Sequence, residues 1–311
     1  MISEKKIVVI GSTNTDMVIK TNHFPNPGET VLGGQFYMNL GGKGANQAVA
    51  AARLGADVHF VTCVGDDLFG MEAVKQLRTE NVQIFPMKPK QETHSGVALI
   101  TIDKTGENNI VVASGANLKL DFEDTSLLEQ LITEDSIVLV QLEIPIETIL
   151  QVCTFAKGRG ALLVLNPAPI CPLPEEILSL VDIITPNQVE AKGLSGITVT
   201  DSASATLAAA KIHDMGPEHI IITMGDKGAV LFSSGEMISI SGHPVDAVDT
   251  TAAGDVFNGA LTMGLAKGND ILSSMTLANK AAAIAVTRIG AQSSAPTMDE
   301  LDTFFKQPVL K

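Results

Sequence analysis

The chain has 311 residues, enough for one large α/β domain or two ordinary ones and for a substantial core. It carries 21 Lys and Arg against 35 Asp and Glu, a formal net charge of −14 at pH 7, which argues against wrapping nucleic acid or lying on an anionic membrane. The partners to expect are small molecules or other protein chains, and any phosphate has to be met by local positive potential from backbone amides, a few Lys or Arg, and metal ions.

MISEKK leads directly into IVVI (7–10), a short apolar run closed by Gly11 that suits a strand buried on both faces of a parallel sheet. No signal-peptide core lies there, and no apolar run approaches the ~20 residues that span a bilayer, so a cytoplasmic protein without membrane contact is expected. Ser12, Thr13, Asn14 and Asp16 follow this strand, where open α/β sheets bind their ligands. Asn14 and Asp16 offer the donor, acceptor and charge that hold vicinal hydroxyls, although a simple Asx turn accounts for them equally. The extended segment 15–38 then interrupts the βα alternation. Gly41-Gly42-Lys43-Gly44-Ala45-Asn46 precedes an Ala-rich helical segment, Gln47 to Leu54; its glycines let backbone approach a ligand, while Lys43 and Asn46 supply polar reach toward a hydroxyl-rich one. The spacing is neither that of a GxxxxGK[ST] phosphate loop nor that of a dinucleotide GxGxxG.

VHFVTCV (58–64) reads as the next buried strand and Phe69 to Leu77 as a helix. Between Thr93 and Ser114, GVALITI and NIVVAS are β-rich runs split by a turn at Asp103 to Asn108, which makes a hairpin. This hairpin and segment 15–38 are expected to leave the main sheet together as a small β-sheet lid. From Asp121 the alternation is regular: helices near 123–132, 146–157, 175–180, 202–215 and 270–286 separate apolar runs at 137–142, 161–166, 183–185, 219–223 and 229–233. The pattern predicts an α/β, three-layer αβα fold with a mainly parallel central sheet, one domain over 1–311 with lid segments about 15–38 and 93–114. Polar residues collect where these strands end: Glu143, Asn166, Asn187, Glu190, Thr223 and Gly225. Gly225-Asp226-Lys227-Gly228 reads either as a hairpin turn or as a nucleotide-phosphate loop, and Asp226, which would repel phosphate, is given no binding role. Cys63, Cys153 and Cys171 lack CxxC spacing and read as reduced core thiols. The six histidines show no ligand spacing, His213 and His219 included, so no structural metal is expected.

DAVDTTAAGDVFNGAL (246–261) moves from turn and cap residues to apolar residues at helical spacing. Ala252, Ala253 and Gly254 fall at the junction, where small side chains leave amide groups bare at a helix N-terminus and make an anion hole. Asp255 beside such a hole either complements the helix dipole or accepts the proton of a hydroxyl that attacks a bound phosphoryl group.

GGKGANQAVAAARLGA and DTTAAGDVFNGAL, about 200 residues apart, resemble the paired signatures of the ribokinase family of carbohydrate kinases. STNTD, TPNQVEA, TMGDKGA and ANKAAAIAVTRIGAQSSAP resemble that family in the same order over essentially the whole chain. The resemblance implies phosphoryl transfer from ATP to the 5-hydroxyl of ribose, with other sugars or nucleosides (deoxyribose, fructose) as the alternative acceptors. It implies Asp255 as the base, with Ala252, Ala253 and Gly254 supplying the anion hole. Asn14, Asp16, Gly41, Gly42, Lys43, Asn46 and Glu143 would bind the sugar. Asn187, Thr223, Gly225, Gly228, Gly254 and Asn279 would line the ATP site, and Glu190 would support Mg²⁺ through water. A monovalent cation, K⁺, would be held by Asp249, Thr251, Ala285, Arg288, Gly290 and Ser294, several through main-chain carbonyls, with the Arg288 side chain pointing away. The family's lid, which covers the sugar, can also form a homodimer interface.

A non-catalytic sugar binder would have no need of a carboxylate at an anion hole. A nicotinamide-dependent dehydrogenase would need the missing GxGxxG.

Overall fold

The computed structural model describes residues 4–305. The chain opens with β1 (Lys6–Ile10), β2 (Asn14–Lys20), β3 (Gln35–Gly41), α1 (Lys43–Arg53), β4 (Val58–Cys63), α2 (Leu68–Thr79), β5 (Gln83–Met87), β6 (Gly96–Ile102) and β7 (Asn108–Ala113). It continues through α3 (Ser126–Leu131), β8 (Ser136–Gln141), α4 (Ile146–Gly158), β9 (Leu162–Asn166), α5 (Glu175–Leu180), β10 (Ile183–Ile184), α6 (Gln188–Ser195) and α7 (Ser202–His213). β11 (His219–Thr223), β12 (Ala229–Ser233), β13 (Glu236–Ile240), α8 (Ala253–Ala266), α9 (Ile271–Ala285) and α10 (Met298–Phe304) complete it.

Nine strands form the main sheet in the order β13-β12-β11-β10-β9-β8-β1-β4-β5. Every pair from β11 to β5 is parallel, whereas the β11–β12 and β12–β13 pairs are antiparallel, so β12 alone runs against the rest. The inner strands read as nearly unbroken apolar runs because both faces are covered. Val8, Ile10, Val138 and Val140 join the core beneath α3–α7, whereas Ile7, Val9, Ile137 and Leu139 join the one beneath α1, α8 and α9. β1 is the first strand laid down and the chain grows from it in both directions, so the connections leaving β1 and β8 diverge. Such a switch point opens a crevice at the carboxyl ends of the strands.

The two segments that broke the alternation pair with each other in a second sheet, ordered β3-β2-β6-β7. β2 is antiparallel to β3 and parallel to β6, and β6 and β7 form the expected hairpin. Ile19, Phe36, Met38, Leu99, Ile110, Val111 and Val112 stand exposed on this sheet.

Several boundaries differ from the sequence reading. α1 begins at Lys43, four residues before Gln47, so Gly41 ends β3, Gly42 is the N-cap and Lys43 to Asn46 form the first helical turn instead of a loop before it. A Cβ on Gly44 would come within 2.7 Å of the Gly11 carbonyl carbon, and this contact seats the turn against the end of β1. The helix near 123–132 is confined to Ser126–Leu131, and α7 stops at His213. His219 lies in β11 and bonds Ser233 Oγ at 2.8 Å. Burial pushes the Cys63 thiol up to about 11 and Cys153 to about 12, as core thiols require, while Cys171 is only half-buried. No helix among the described residues is long and apolar enough to cross a membrane.

Candidate active site

The helix that follows Thr251 starts without a side-chain cap. Ala252, its N-cap, holds φ at 60°, a left-handed conformation uncommon for a residue with a Cβ. Ala253 N–H bonds back to the Thr250 carbonyl at 3.3 Å, and the next bond is Val256 N–H to the Ala252 carbonyl at 2.8 Å. Between them the Gly254 and Asp255 amides have no acceptor among the described residues, as an anion hole needs. A Cβ on Gly254 would meet nothing within 4 Å, so the hole faces open space.

That space is a cavity of about 200 Å³ lined by Lys43, Asn166, Thr185, Asn187, Glu190, Asp255 and Asn258 along with the 252–254 turn. Through Thr223, Thr250, Ala253 and Gly254 it shares walls with a cavity of about 770 Å³ built from Gly225, Gly228, His243, Val245, Phe257, Asn279, Ala282 and Val286. A small polar chamber therefore adjoins a larger, mostly apolar one of ligand size. Asp226 is exposed on the rim of the larger chamber. The 225–228 segment is a 3-10 turn between antiparallel strands, which makes it a hairpin that also lines a cavity.

On the other side of Asp255 the crevice after β1 collects the hydroxyl-binding candidates. Glu143 Oε2 accepts from Ser12 Oγ at 2.5 Å and from the Lys43 amide at 3.0 Å, so a residue from the loop after β8 caps α1 in place of the missing side chain at Gly42. Burial, then the nearby charges of Glu143 and Asp255, push the Asp16 carboxyl up to about 7. Burial pulls Lys43 down, but Asp255, Glu143 and Glu190 together raise it, so it stays charged as the one cation among these side chains. Asn46 Nδ2 donates to Asp255 Oδ2 at 2.9 Å, while its own Oδ1 is buried without a partner, an acceptor left over for a ligand hydroxyl. Asp255 itself is 5 % exposed yet borders the cavity, placed between the two clusters.

Asn187 and Glu190 form a reciprocal capping box at the start of α6. Both Glu190 oxygens accept from Asn187, through its main-chain N–H at 2.8 Å and its Nδ2 at 3.0 Å. Burial raises the Glu190 carboxyl. Asn279 Nδ2 donates to the Ser241 carbonyl at 2.9 Å, in the wall of the larger chamber. In the remaining cluster, Asp249 accepts from the amides of Thr251 and Gly290, both at 2.9 Å. Burial would raise its carboxyl, but these two N–H groups hold it below the ordinary range. The Arg288 guanidinium is turned onto Glu300 at 3.0 Å, its amide bonds the Ala285 carbonyl, and Ser294 Oγ bonds the Ala291 carbonyl. Asp249 thus ties the stretch before the anion hole to the turn at Gly290.

Several polar residues at the site are absent from the sequence-level set. Asn117 Nδ2 bonds Asn14 Oδ1 at 2.8 Å, which leaves the Asn14 amide NH₂ as the group free for a ligand. Gln47 donates to Asp255 Oδ1 at 3.0 Å, and Gln141 stands behind it. A glutamine at the end of an otherwise apolar strand is the one visible sign of Gln141. Asn117, in the turn after a hairpin, gives none.

The pfkB carbohydrate kinase family pattern matches residues 4–298. The chain is 42 % identical to the ribokinase of Haemophilus influenzae over 302 residues, covering 97 % of this chain and 99 % of that one. It superposes on a Thermotoga maritima ribokinase with a TM-score of 0.87 at 37 % identity, covering 97 % of this chain and 100 % of that one. An Arabidopsis thaliana ribokinase complexed with ribose and ATP gives a TM-score of 0.87 at 29 % identity, covering 98 % and 99 % of the two chains.

Proposed function

We propose that this chain, which belongs to the pfkB family of carbohydrate kinases, transfers the γ-phosphoryl group of ATP to the 5-hydroxyl of D-ribose, giving ribose 5-phosphate and ADP. The observation that carries the reading is the Asp255 carboxylate beside the unpartnered amides of α8, between a hydroxyl-binding cluster and a phosphate-sized chamber. Asn14, Asp16, Gly41, Gly42, Lys43, Asn46 and Glu143 hold the sugar. The ribose O5–H bond breaks as its proton passes to Asp255. O5 then bonds the γ-phosphorus while the bond from that phosphorus to the β,γ-bridging oxygen breaks and ADP leaves. The Gly254 and Asp255 amides, in the turn formed with Ala252 and Ala253, meet the charge spread over the transferring oxygens. The larger chamber, with Thr223, Gly225, Gly228 and Asn279, takes the nucleotide.

Mg²⁺ fits beside Glu190 through water, since both carboxylate oxygens are already engaged by Asn187. When bound it neutralises phosphate charge. K⁺ fits the cluster of Asp249, Thr251, Ala285, Arg288, Gly290 and Ser294, an oxygen-rich set with the one cationic side chain turned onto Glu300. In this reading the chain is one domain whose second sheet closes over the sugar as a lid and pairs with its counterpart in a homodimer, in the cytoplasm. The test is ADP release over ribose, deoxyribose, fructose and nucleosides, each with and without K⁺. Potassium-stimulated release confined to ribose is the expected result, and equal rates on deoxyribose or a nucleoside would move the assignment to another acceptor.

A further inference from the structure

Behind the Asp255 carboxylate lies a chain of buried amides that touches neither chamber at its source. Gln141, at the end of β8, donates Nε2 to Gln47 Oε1 at 2.7 Å, and Gln47 Nε2 in turn donates to Asp255 Oδ1 and to Asn166 Oδ1, each at 3.0 Å. Asn166 Nδ2 reaches the Thr185 carbonyl at 3.3 Å, and Thr185 Oγ1 donates to Asn258 Oδ1 at 2.6 Å. Asn258 Nδ2 closes the circuit on the Gly254 carbonyl at 2.8 Å. Gln47 and Gln141 are both 0 % exposed. The circuit therefore begins on the side chain of the base and ends on the main chain of the anion hole.

The direction of donation matters. Gln141 presents a donor to Gln47, so the Gln47 amide has its oxygen turned back and its NH₂ turned to the carboxylate. The flipped amide would set oxygen against oxygen at Asp255 and Asn166 and NH₂ against NH₂ at Gln141. We propose that Gln47 is a positioning residue for the transfer. It pins Asp255 through Oδ1 and leaves Oδ2, at the Asn46 amide, as the oxygen that receives the sugar proton. Such a buried amide network is costly, the more so because Gln141 Oε1 has no partner among the described residues, and an otherwise alanine-rich helix has no packing need for a glutamine here. The inference rests on Asp255 being the base.

The test is a double-mutant cycle read by single-turnover phosphorylation with enzyme in excess, on Gln47→Met, Asp255→Asn and the pair. Gln47→Met, similar in shape but without a donor, should lower the rate roughly 10- to 100-fold with ribose KM within about threefold, and should cost nothing further in the Asp255→Asn background. A parent-like rate in Gln47→Met, a loss expressed mainly in KM, or the same factor lost in both backgrounds would overturn it. Should Gln47→Met fail to fold, Gln141→Met, which leaves the Gln47 amide unanchored, is put through the same cycle against the same outcomes. Parent-like turnover in Asp255→Asn alone would remove the base itself, and that failure is recognisable because it shows with residue 47 untouched.

Discussion

Asp16 is a carboxylate among carboxylates. Burial and the charges of Glu143 and Asp255 lift it from 3.8 to about 7, so between these values the folded chain keeps a proton that the unfolded chain has released. Protonation therefore favours the fold, and this contribution is present at low pH and lost as pH rises through about 7. The ligand-free protein should lose more melting temperature from pH 5 to pH 8 than Asp16→Asn, measured by scanning calorimetry. Parallel pH dependence in the two proteins would dismiss the raised carboxyl. At this scale the sequence is legible where chemistry forces a residue type next to backbone features: Asn14, Lys43, Asn46 and Asp255 stand in short motifs whose glycines and caps announce a ligand. Gln47 and Asn117 escape because their roles are to orient neighbours from other elements, and a contact across 208 positions, as from Gln47 to Asp255, leaves no local pattern.

Among the elements, the decisive pair is α1 with α8. A Cβ on Gly259 would fall 2.6 Å from both the Ala50 Cβ and the Gln47 carbonyl, so these helices approach through bare backbone, and the approach is what brings Asn46 and Gln47 to Asp255. Gly259→Val should destabilise the protein by about 1–3 kcal/mol through overpacking and lower turnover along with it. Unchanged melting and unchanged rate together would mean that the gap closes without moving the site. The start of α8 is readable from the turn-forming Asp249, Thr250 and Thr251 before it and from its apolar spacing. The start of α1 was not, since glycine is a poor helix former and the cap, Glu143, lies 100 residues downstream of the amide it accepts. The short α6 and the edge strand β13 escaped for a simpler reason. Eight and five residues give too few periods to distinguish helix or strand from loop.

For the molecule as a whole, the alternation of apolar runs and helices sufficed to foresee a parallel sheet between helix layers, because doubly covered strands must be apolar throughout. That the two interruptions would share one sheet also followed, whereas the parallel β2–β6 pairing is a register that no turn specifies. The apolar residues exposed on one face of this second sheet, Ile19, Phe36, Met38, Leu99 and Val111, with Phe36 and Val111 at 60 % and 69 % exposure, fit a face covered by a second copy. Light scattering after gel filtration should give a dimer for the parent and a monomer for Phe36→Lys/Val111→Lys. A parent that runs as a monomer across its working concentrations would end the dimer proposal.

The register of the second sheet sets Asn14 opposite Gly41 on one side and Gly96 on the other, so β2, β3 and β6 all join the body along one row, beside the proposed sugar site. From that row β2 reaches Lys20, ~20 Å away at the usual rise of a strand. Any swing of the sheet turns about this line, and displacement grows with distance from it. The far tip would sweep widely while Asn14 scarcely shifts, so a swing would widen or narrow the entrance while leaving the Asn14 amide in place.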